Sequence, residues 1–362
     1  EQMALASDMS EYIDPVAARD AFLGRLFDAI GSEQLVTQEA RSHLTTIPVE
    51  VRQTNDRLFR VTTGWGQMGT FEWIHGLDQT LTSNTSMMAA IEAAREYLGE
   101  PGQPATHEIE TAKVFSVLEP VAQCLSFTDL NPELRSLGEG TIGRACVTLA
   151  AGSRLVVTAG EPDQVERFVG FLRIAIESDY PSVDDDTEAR FEKSPGWGSP
   201  APRVEAAVAA LDVCLQRPDL YERVSADIDR LLDDRHPATR LQAASHLVRI
   251  WDLDRSGFWG RITLRFKRES NFGVLGHVVD LLRRVLHVDP LQTEAQLLGL
   301  LNRFNGTGDE NRLAEMTADV IAILAVTYSS VATGAILSRW IEEPAAHVKP
   351  LRRIISTLRG AV

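Results

Sequence analysis

The chain has 362 residues, 44% of them hydrophobic and 24% charged, and a formal net charge of −15. A chain of this length buries a substantial core, which excludes small disulfide scaffolds and general disorder. The negative balance argues against a general nucleic-acid binder, because affinity for phosphate rests on Lys and Arg.

The charge is unevenly placed. Residues 1–195 hold 15 Lys/Arg against 31 Asp/Glu, whereas residues 196–362 hold 21 against 20. The two halves therefore need not share a partner. Cys124, Cys146 and Cys214 are too widely spaced for a disulfide framework or a zinc-ligand pair and read as reduced thiols. The longest apolar stretch, Val320 to Val326, is too short to span a bilayer, and the Glu1-Gln2-Met3 start lacks a signal peptide's basic region and apolar core. A cytoplasmic protein without membrane contact is the expectation.

In chain order, residues 15–31 and 86–99 read as helices, the second following Gly64-Trp65-Gly66 at some distance. Ile109 to Leu125 and Gly143 to Leu149 continue the helical pattern. Arg154 to Thr158 is either a short strand or a helix end. Pro162 to Ile176 carries an amphipathic stripe through Val165, Phe168, Val169, Leu172 and Ile176. From Asp179 to Pro202 the chain has four prolines, two glycines and the run Asp184-Asp185-Asp186, with no period. It reads as a linker or long loop. The expected domains are an acidic, mostly helical part over 1–178, this linker over 179–202, and a helical-repeat part over 203–362.

After that boundary the pattern is regular. Val204, Ala207, Val208, Leu211 and Leu215 form one stripe, and Pro218 stops it. A second stripe runs through Val224, Ile228, Leu231 and Leu232. The turn Asp233-Asp234-Arg235-His236-Pro237 leads into a third, through Leu241, Ala244, Leu247, Val248 and Trp251, with Pro237 placed as a first helical residue. Within this helix–turn–helix, Asp234, Pro237, Arg240, Ala244 and Leu247 resemble the HEAT-repeat signature. The resemblance implies that the Arg and the acidic turn knit neighbouring repeats together and that the small residues allow close helix approach. Helix pairs recur over Phe258–Arg268 and Phe272–His287, over Leu291–Phe304 and Arg312–Tyr328, and over Val331–Glu342 and Val348–Leu358. Val204, Leu241, Val274 and Leu313 lie 37, 33 and 39 residues apart, the range of helical solenoids. The expected fold is all-α, a HEAT-like α-solenoid of antiparallel helix pairs, with an irregular helical bundle as the alternative.

The second half, opening at Gly196-Trp197-Gly198, also resembles the repeat regions attached to large bacterial antiphage-defence ATPase or protease proteins. That resemblance implies a segment that senses or docks a partner beside a catalytic domain carried elsewhere, since no nucleotide-binding motif of such a protein is present.

Chemistry-bearing motifs are few. Gly138-Glu-Gly140-Thr-Ile-Gly143 matches G-x-G-x-x-G but lacks a strand feeding the glycines, so a glycine-rich interhelical loop is expected rather than a cofactor site. The Asp184–Asp186 run lacks the alternation of a calcium loop. His236, His246, His277 and His287 show no i, i+4 pairing with another ligand type, and Cys146 and Cys214 sit in apolar stripes. Catalytic, metal and cofactor residues are therefore assigned to none. Arg261, Arg265 and Arg268 form an i, i+4, i+7 basic stripe, with Arg283 and Arg284 one helix on, and are the expected partner-binding residues. The expected function is a non-catalytic scaffold or sensor that holds a protein partner or another domain of a larger assembly. The alternative is an enzyme with a site built across helices, as in HEAT-like nucleic-acid glycosylases, which the acidic balance disfavours.

Overall fold

The computed structural model describes residues 58–62, 68–72, 79–99, 109–151, 155 and 164–360. The helix expected at 15–31, the first Gly-Trp-Gly and most of Arg154–Thr158 lie outside these residues. The described residues fall into two compact units, one within Glu1–Ile109 and Ser116–Gly138, the other within Glu110–Phe115 and Glu139–Val362.

In the first unit, β1 (Leu58–Thr62) pairs antiparallel with β2 (Met68–Glu72), Leu58 opposite Glu72 and Thr62 opposite Met68. The sequence reading placed no strand here, because five residues are too few for alternation to stand out from a loop. Helix α1 (Gln79–Leu98) buries Met87, Ala90, Ile91, Ala94 and Leu98. Helices α2 (Thr111–Cys124) and α3 (Pro132–Ala150) follow, with Ser116–Cys124 and Pro132–Gly138 in this unit and their remaining residues in the second, and Asn131 caps α3 by accepting from the Glu133 N–H at 2.8 Å. Its own N–H is taken by Asn84 Oδ1 of α1 at 2.9 Å.

The second unit contains α4 (Gln164–Glu177), α5 (Thr187–Lys193), α6 (Pro202–Gln216), α7 (Tyr221–Leu232), α8 (Pro237–His246), α9 (Arg255–Arg268), α10 (Phe272–Val285), α11 (Pro290–Arg303), α12 (Glu310–Thr327), α13 (Val331–Glu342) and α14 (Val348–Gly360). Apart from the single strand pair, every regular element described is helical, so the fold is all-α. The stripes read from the sequence do face inward: Val165, Phe168, Val169, Leu172 and Ile176 on α4, Val224, Ile228, Leu231 and Leu232 on α7, and Val274, Val278, Leu281, Leu282 and Val285 on α10 are buried. Each such Val, Leu or Ile contributes about 1.5–3 kcal/mol on leaving water. Leu215 departs from its stripe and is exposed at the end of α6.

Helices α4, α6, α8, α10, α12 and α14 pack in that order, each against the one before it. Helices α7, α9, α11 and α13 lie in a second row, each packed on a helix of the first. The second-row helices begin at Tyr221, Arg255, Pro290 and Val331, intervals of 34, 35 and 41 residues. The first-row helices that follow them in the chain begin at Pro237, Phe272, Glu310 and Val348, intervals of 35, 38 and 38, but α13 packs on α12 rather than on α14. Three helical hairpins of similar length, α7–α8, α9–α10 and α11–α12, thus follow α6.

The stretch 179–202, expected as a linker, is instead folded into the second unit. Phe191 of α5 is 3% exposed and sits among Ala201, Val204, Ala238, Leu241 and Val274, edge-on to the His236 ring. Its glycines and prolines hide the one short helix, because seven residues give less than two periods. The division between units falls at Gly138–Glu139 rather than in this stretch.

Candidate functional site

The arginines expected to bind a partner part into two groups. Arg261, Arg265 and Arg268 do share one face of α9, but that face meets the carboxylates of α7. Arg261 donates to Asp229 at 2.7 Å, to the Tyr221 hydroxyl at 2.7 Å and to Ser225 at 2.8 Å. The Arg265 side chain is 4% exposed, bonded to Asp233 and 3.6 Å from Glu269. Arg268, 59% exposed, reaches Asp233 at 2.8 Å. The stripe is therefore an internal clasp between consecutive second-row helices and not an open contact face. Spacing on one helix shows which cations share a side, but not that the neighbouring helix offers Asp229 and Asp233 at the matching height. Arg268→Ala is expected to shift stability by no more than about 1 kcal/mol, as for exposed pairs generally, in a denaturant titration. Arg283 and Arg284, in the last turn of α10, are exposed, and no carboxylate among the described residues pairs with either.

The turns between second-row and first-row helices repeat one device. Two residues before the N-cap of α8, Asp234 accepts the His236 N–H at 2.7 Å and the Nε of Arg203, from α6, at 3.0 Å. Two residues before the N-cap of α10, Glu269 accepts the Asn271 N–H at 3.0 Å and both Nε and Nη2 of Arg240, from α8, at 2.8 and 3.0 Å. In the third turn the corresponding acceptor is the Thr307 hydroxyl, and Gly306 and Gly308 adopt positive φ. Arg240 thus joins the turn of its own hairpin, through the Asp234 carbonyl at 3.0 Å, to that of the next.

The opposite ends of the hairpins repeat a second device. The N-cap of each new second-row helix is bonded to a side chain of the previous one: Tyr221 donates to Asp254 at 2.6 Å, Trp259 donates to Asp289 at 3.2 Å, and Ser330 donates to Glu294. Asp254, Asp289 and Ser330 meanwhile accept from Gly257, Gln292 and Thr333 within their own first turns. Nothing in a helical period reveals these bonds, because partners 30 or more residues apart meet only once the chain has folded.

The G-x-G-x-x-G stretch is neither a phosphate loop nor an interhelical loop. It lies inside α3, where a side chain would collide with what lies against the helix. A Cβ on Gly140 would stand 2.4 Å from Pro200 Cβ, and one on Gly143 would stand 2.9 Å from Glu205 Oε2 and 3.1 Å from Pro202 Cα. The glycines let α3 approach the start of α6, which outweighs their helix-breaking tendency. Gly140→Ala should destabilise the protein by about 1–3 kcal/mol through overpacking. Gly170→Ala on α4, where nothing lies within 4 Å of the added carbon, should be neutral or slightly stabilising in the same thermal melts.

This close approach encloses a carboxyl group that the sequence reading passed over. Glu205 as a residue is half-buried, yet its Oε2 is enclosed and has no hydrogen-bond partner among the described residues. Burial pushes its pKa up to about 8, with the positive charge of Arg144 acting in the opposite sense. Cys146 is wholly buried nearby, its thiol pushed upward by burial and by the Glu205 charge. A signal was present in the sequence: Val-Glu-Ala-Ala-Val-Ala-Ala-Leu carries small or apolar residues on every side, so an acid within it is enclosed.

The remaining candidates are structural. Asp184 accepts from Arg190 at 2.7 Å and from Thr187 at 2.8 Å, closing the first turn of α5. His236 caps α8 with Nδ1 accepting the Ala238 N–H at 3.1 Å, and burial and the Arg203 charge lower its pKa, favouring the neutral ring this cap requires. A cleft of about 330 Å³ lies between α5 and the starts of α10 and α12. Its Glu188 is already bonded to Arg240 at 2.9 Å and to Asn271 at 2.7 Å, and its Glu192 to Arg312 and the Phe272 N–H. Across the described residues the polar groups hold helices to one another. No single described helix is long and apolar enough to cross a membrane.

No family model, curated protein or solved structure matches this chain.

Proposed function

We propose that the second unit is a HEAT-like α-solenoid that serves as a non-catalytic protein-binding scaffold. The observation that carries this reading is the recurrence of a side-chain bond between the N-cap of one second-row helix and the second-row helix before it, accepted by the cap at Tyr221–Asp254 and Trp259–Asp289 and donated by it at Ser330–Glu294. Each hairpin is attached to the next as it was to the last, and stacking of this kind presents successive helices and turns as a continuous surface. The reading includes docking or sensing beside a catalytic domain carried elsewhere, as the resemblance to defence proteins implies. An enzyme working on nucleic acid across a basic groove has less to draw on, because Arg261 and Arg265 are engaged by Asp229 and Asp233.

The test is affinity capture with the full chain from lysate of its native cells, protein and nucleic acid both identified, alongside a broad hydrolase and glycosylase screen of the purified chain. A discrete protein retained in constant proportion, with no turnover, supports the scaffold. Turnover of any substrate that is abolished by point substitution within the second unit would overturn it.

A further inference from the structure

The two edges of the hairpin array differ in chemistry. On one edge lie the turns from second row to first, with Asp233, Asp234, Glu269 and Asn271, crossed by α5 and satisfied by the bonds described above; large apolar side chains are exposed there too, Ile341 and Val348, at the last turn. On the other lie the short turns from first row to second, beside the N-cap bonds. There each successive turn exposes large apolar side chains: Leu215 at the end of α6, Leu253 before α9, Val288 and Leu291 around the start of α11, and Val326 and Val331 around the start of α13. Leu291, Val326 and Val331 are 79%, 74% and 87% exposed. Such side chains scattered singly need no explanation, but these recur at the same place in every repeat.

The same edge holds the only two members of the expected arginine set that carry no carboxylate partner among the described residues. Arg283 and Arg284 end α10, four to five residues before Val288 and seven to eight before Leu291. They differ in this from Arg261, Arg265 and Arg268, which α7 neutralises.

We infer that this edge is a docking surface for an acidic amphipathic polypeptide segment, whose apolar side chains lie along the exposed Leu and Val residues and whose carboxylates meet Arg283 and Arg284. The inference rests on the scaffold reading and specifies the place and chemistry of its contact. Charge complementarity selects the occupant. Two adjacent guanidiniums bind carboxylates through forked, charge-assisted bonds, and an apolar row beside them suits a helix with anchors at i, i+3, i+4 and i+7.

The probe is a fluorescein-labelled 18-residue peptide with Leu at helical i, i+3, i+4 and i+7 positions and Glu elsewhere, beside a counterpart in which Lys replaces every Glu. Binding to the full chain is followed by anisotropy at two salt concentrations, with vesicles of phosphatidylserine and phosphatidylcholine as a third ligand. The Glu peptide should bind, more weakly at high salt, and at least ten-fold more weakly to Arg283→Glu/Arg284→Glu and to Leu291→Ser/Val331→Ser. Both variants replace exposed side chains, and circular dichroism melts verify that they fold. Equal binding of the Lys peptide, unchanged affinity in either variant, or no binding of the Glu peptide overturns the proposal. Vesicle binding that both variants lose, without peptide binding, assigns the edge to an anionic membrane surface and overturns it as well. If a partner captured from lysate is retained equally by wild type and both variants, the edge is wrong while the scaffold reading stands.

Discussion

Glu269→Ala should destabilise the protein by about 3 kcal/mol and lower its thermal midpoint, because it takes from two largely buried cations one of the two carboxylates that each is paired with. Glu269 has a side chain 2% exposed, takes two bonds from Arg240 and one from the Asn271 N–H, and lies 3.6 Å from Arg265. Arg240 keeps Glu188 and the Asp234 carbonyl, and Arg265 keeps Asp233, so the loss is partial rather than total. Removing both partners is expected to cost less than removing one. In Arg240→Met/Glu269→Leu, apolar groups of similar length replace the ion pair, and the double variant should recover at least half of the single-variant loss. A double variant as unstable as the sum of the two singles would show that the two residues contribute independently and that no stranded charge carries the effect. Denaturant titrations at neutral pH decide between these outcomes.

Glu205→Gln is expected to act in the opposite direction, and only where the carboxyl group is ionised. In the unfolded chain a glutamate titrates near 4.5, whereas in the folded protein burial holds Glu205 up to about 8. Between those values the folded state binds a proton that the unfolded state has lost. The group's contribution to stability is therefore greatest below about 4.5, falls as pH rises towards 8, and levels off above it. Arg144, on α3, is the charged group that acts on it, and the Glu205 charge in turn raises the pKa of the Cys146 thiol. The amide keeps the shape of the protonated acid and cannot ionise. Glu205→Gln should match the parent at pH 5 and exceed its stability by about 2–4 kcal/mol at pH 9. Parallel stability profiles for the two proteins across that range would place the carboxyl group in contact with water.

Much of the second unit was legible in the sequence, and the reasons are local. Val224, Ile228, Leu231 and Leu232 could be assigned to a buried face because a helix returns to the same side every three or four residues. Pro237 marked a helix start for an equally local reason, its fixed φ and missing N–H. The acidic turn and Arg240 were visible as types, and the structure supplies the partner, Glu269, one hairpin on. What stayed hidden depends on neighbours. The stripe of Arg261, Arg265 and Arg268 looked like a surface because nothing in its own helix reveals Asp229 and Asp233 across from it. Gly140 and Gly143 looked like a loop because a glycine inside a helix is explained only by Pro200, Pro202 and Glu205 pressed against it. Of the expected contact residues, only Arg283 and Arg284 remain on an open edge, next to apolar side chains that a search for charged motifs had no reason to join to them.

The path of α5 has a mechanical consequence. Glu188 ties it to α8 through Arg240 and to the cap of α10 through Asn271, while Glu192 ties it to the start of α10 and, through Arg312, to α12. Three successive first-row helices are thereby held at a fixed spacing along one margin, as leaves are held by a binding. Their other margin carries no such tie from α5. Any bending among these three helices is therefore expected to be directional, with the margin that α5 binds the stiffer of the two.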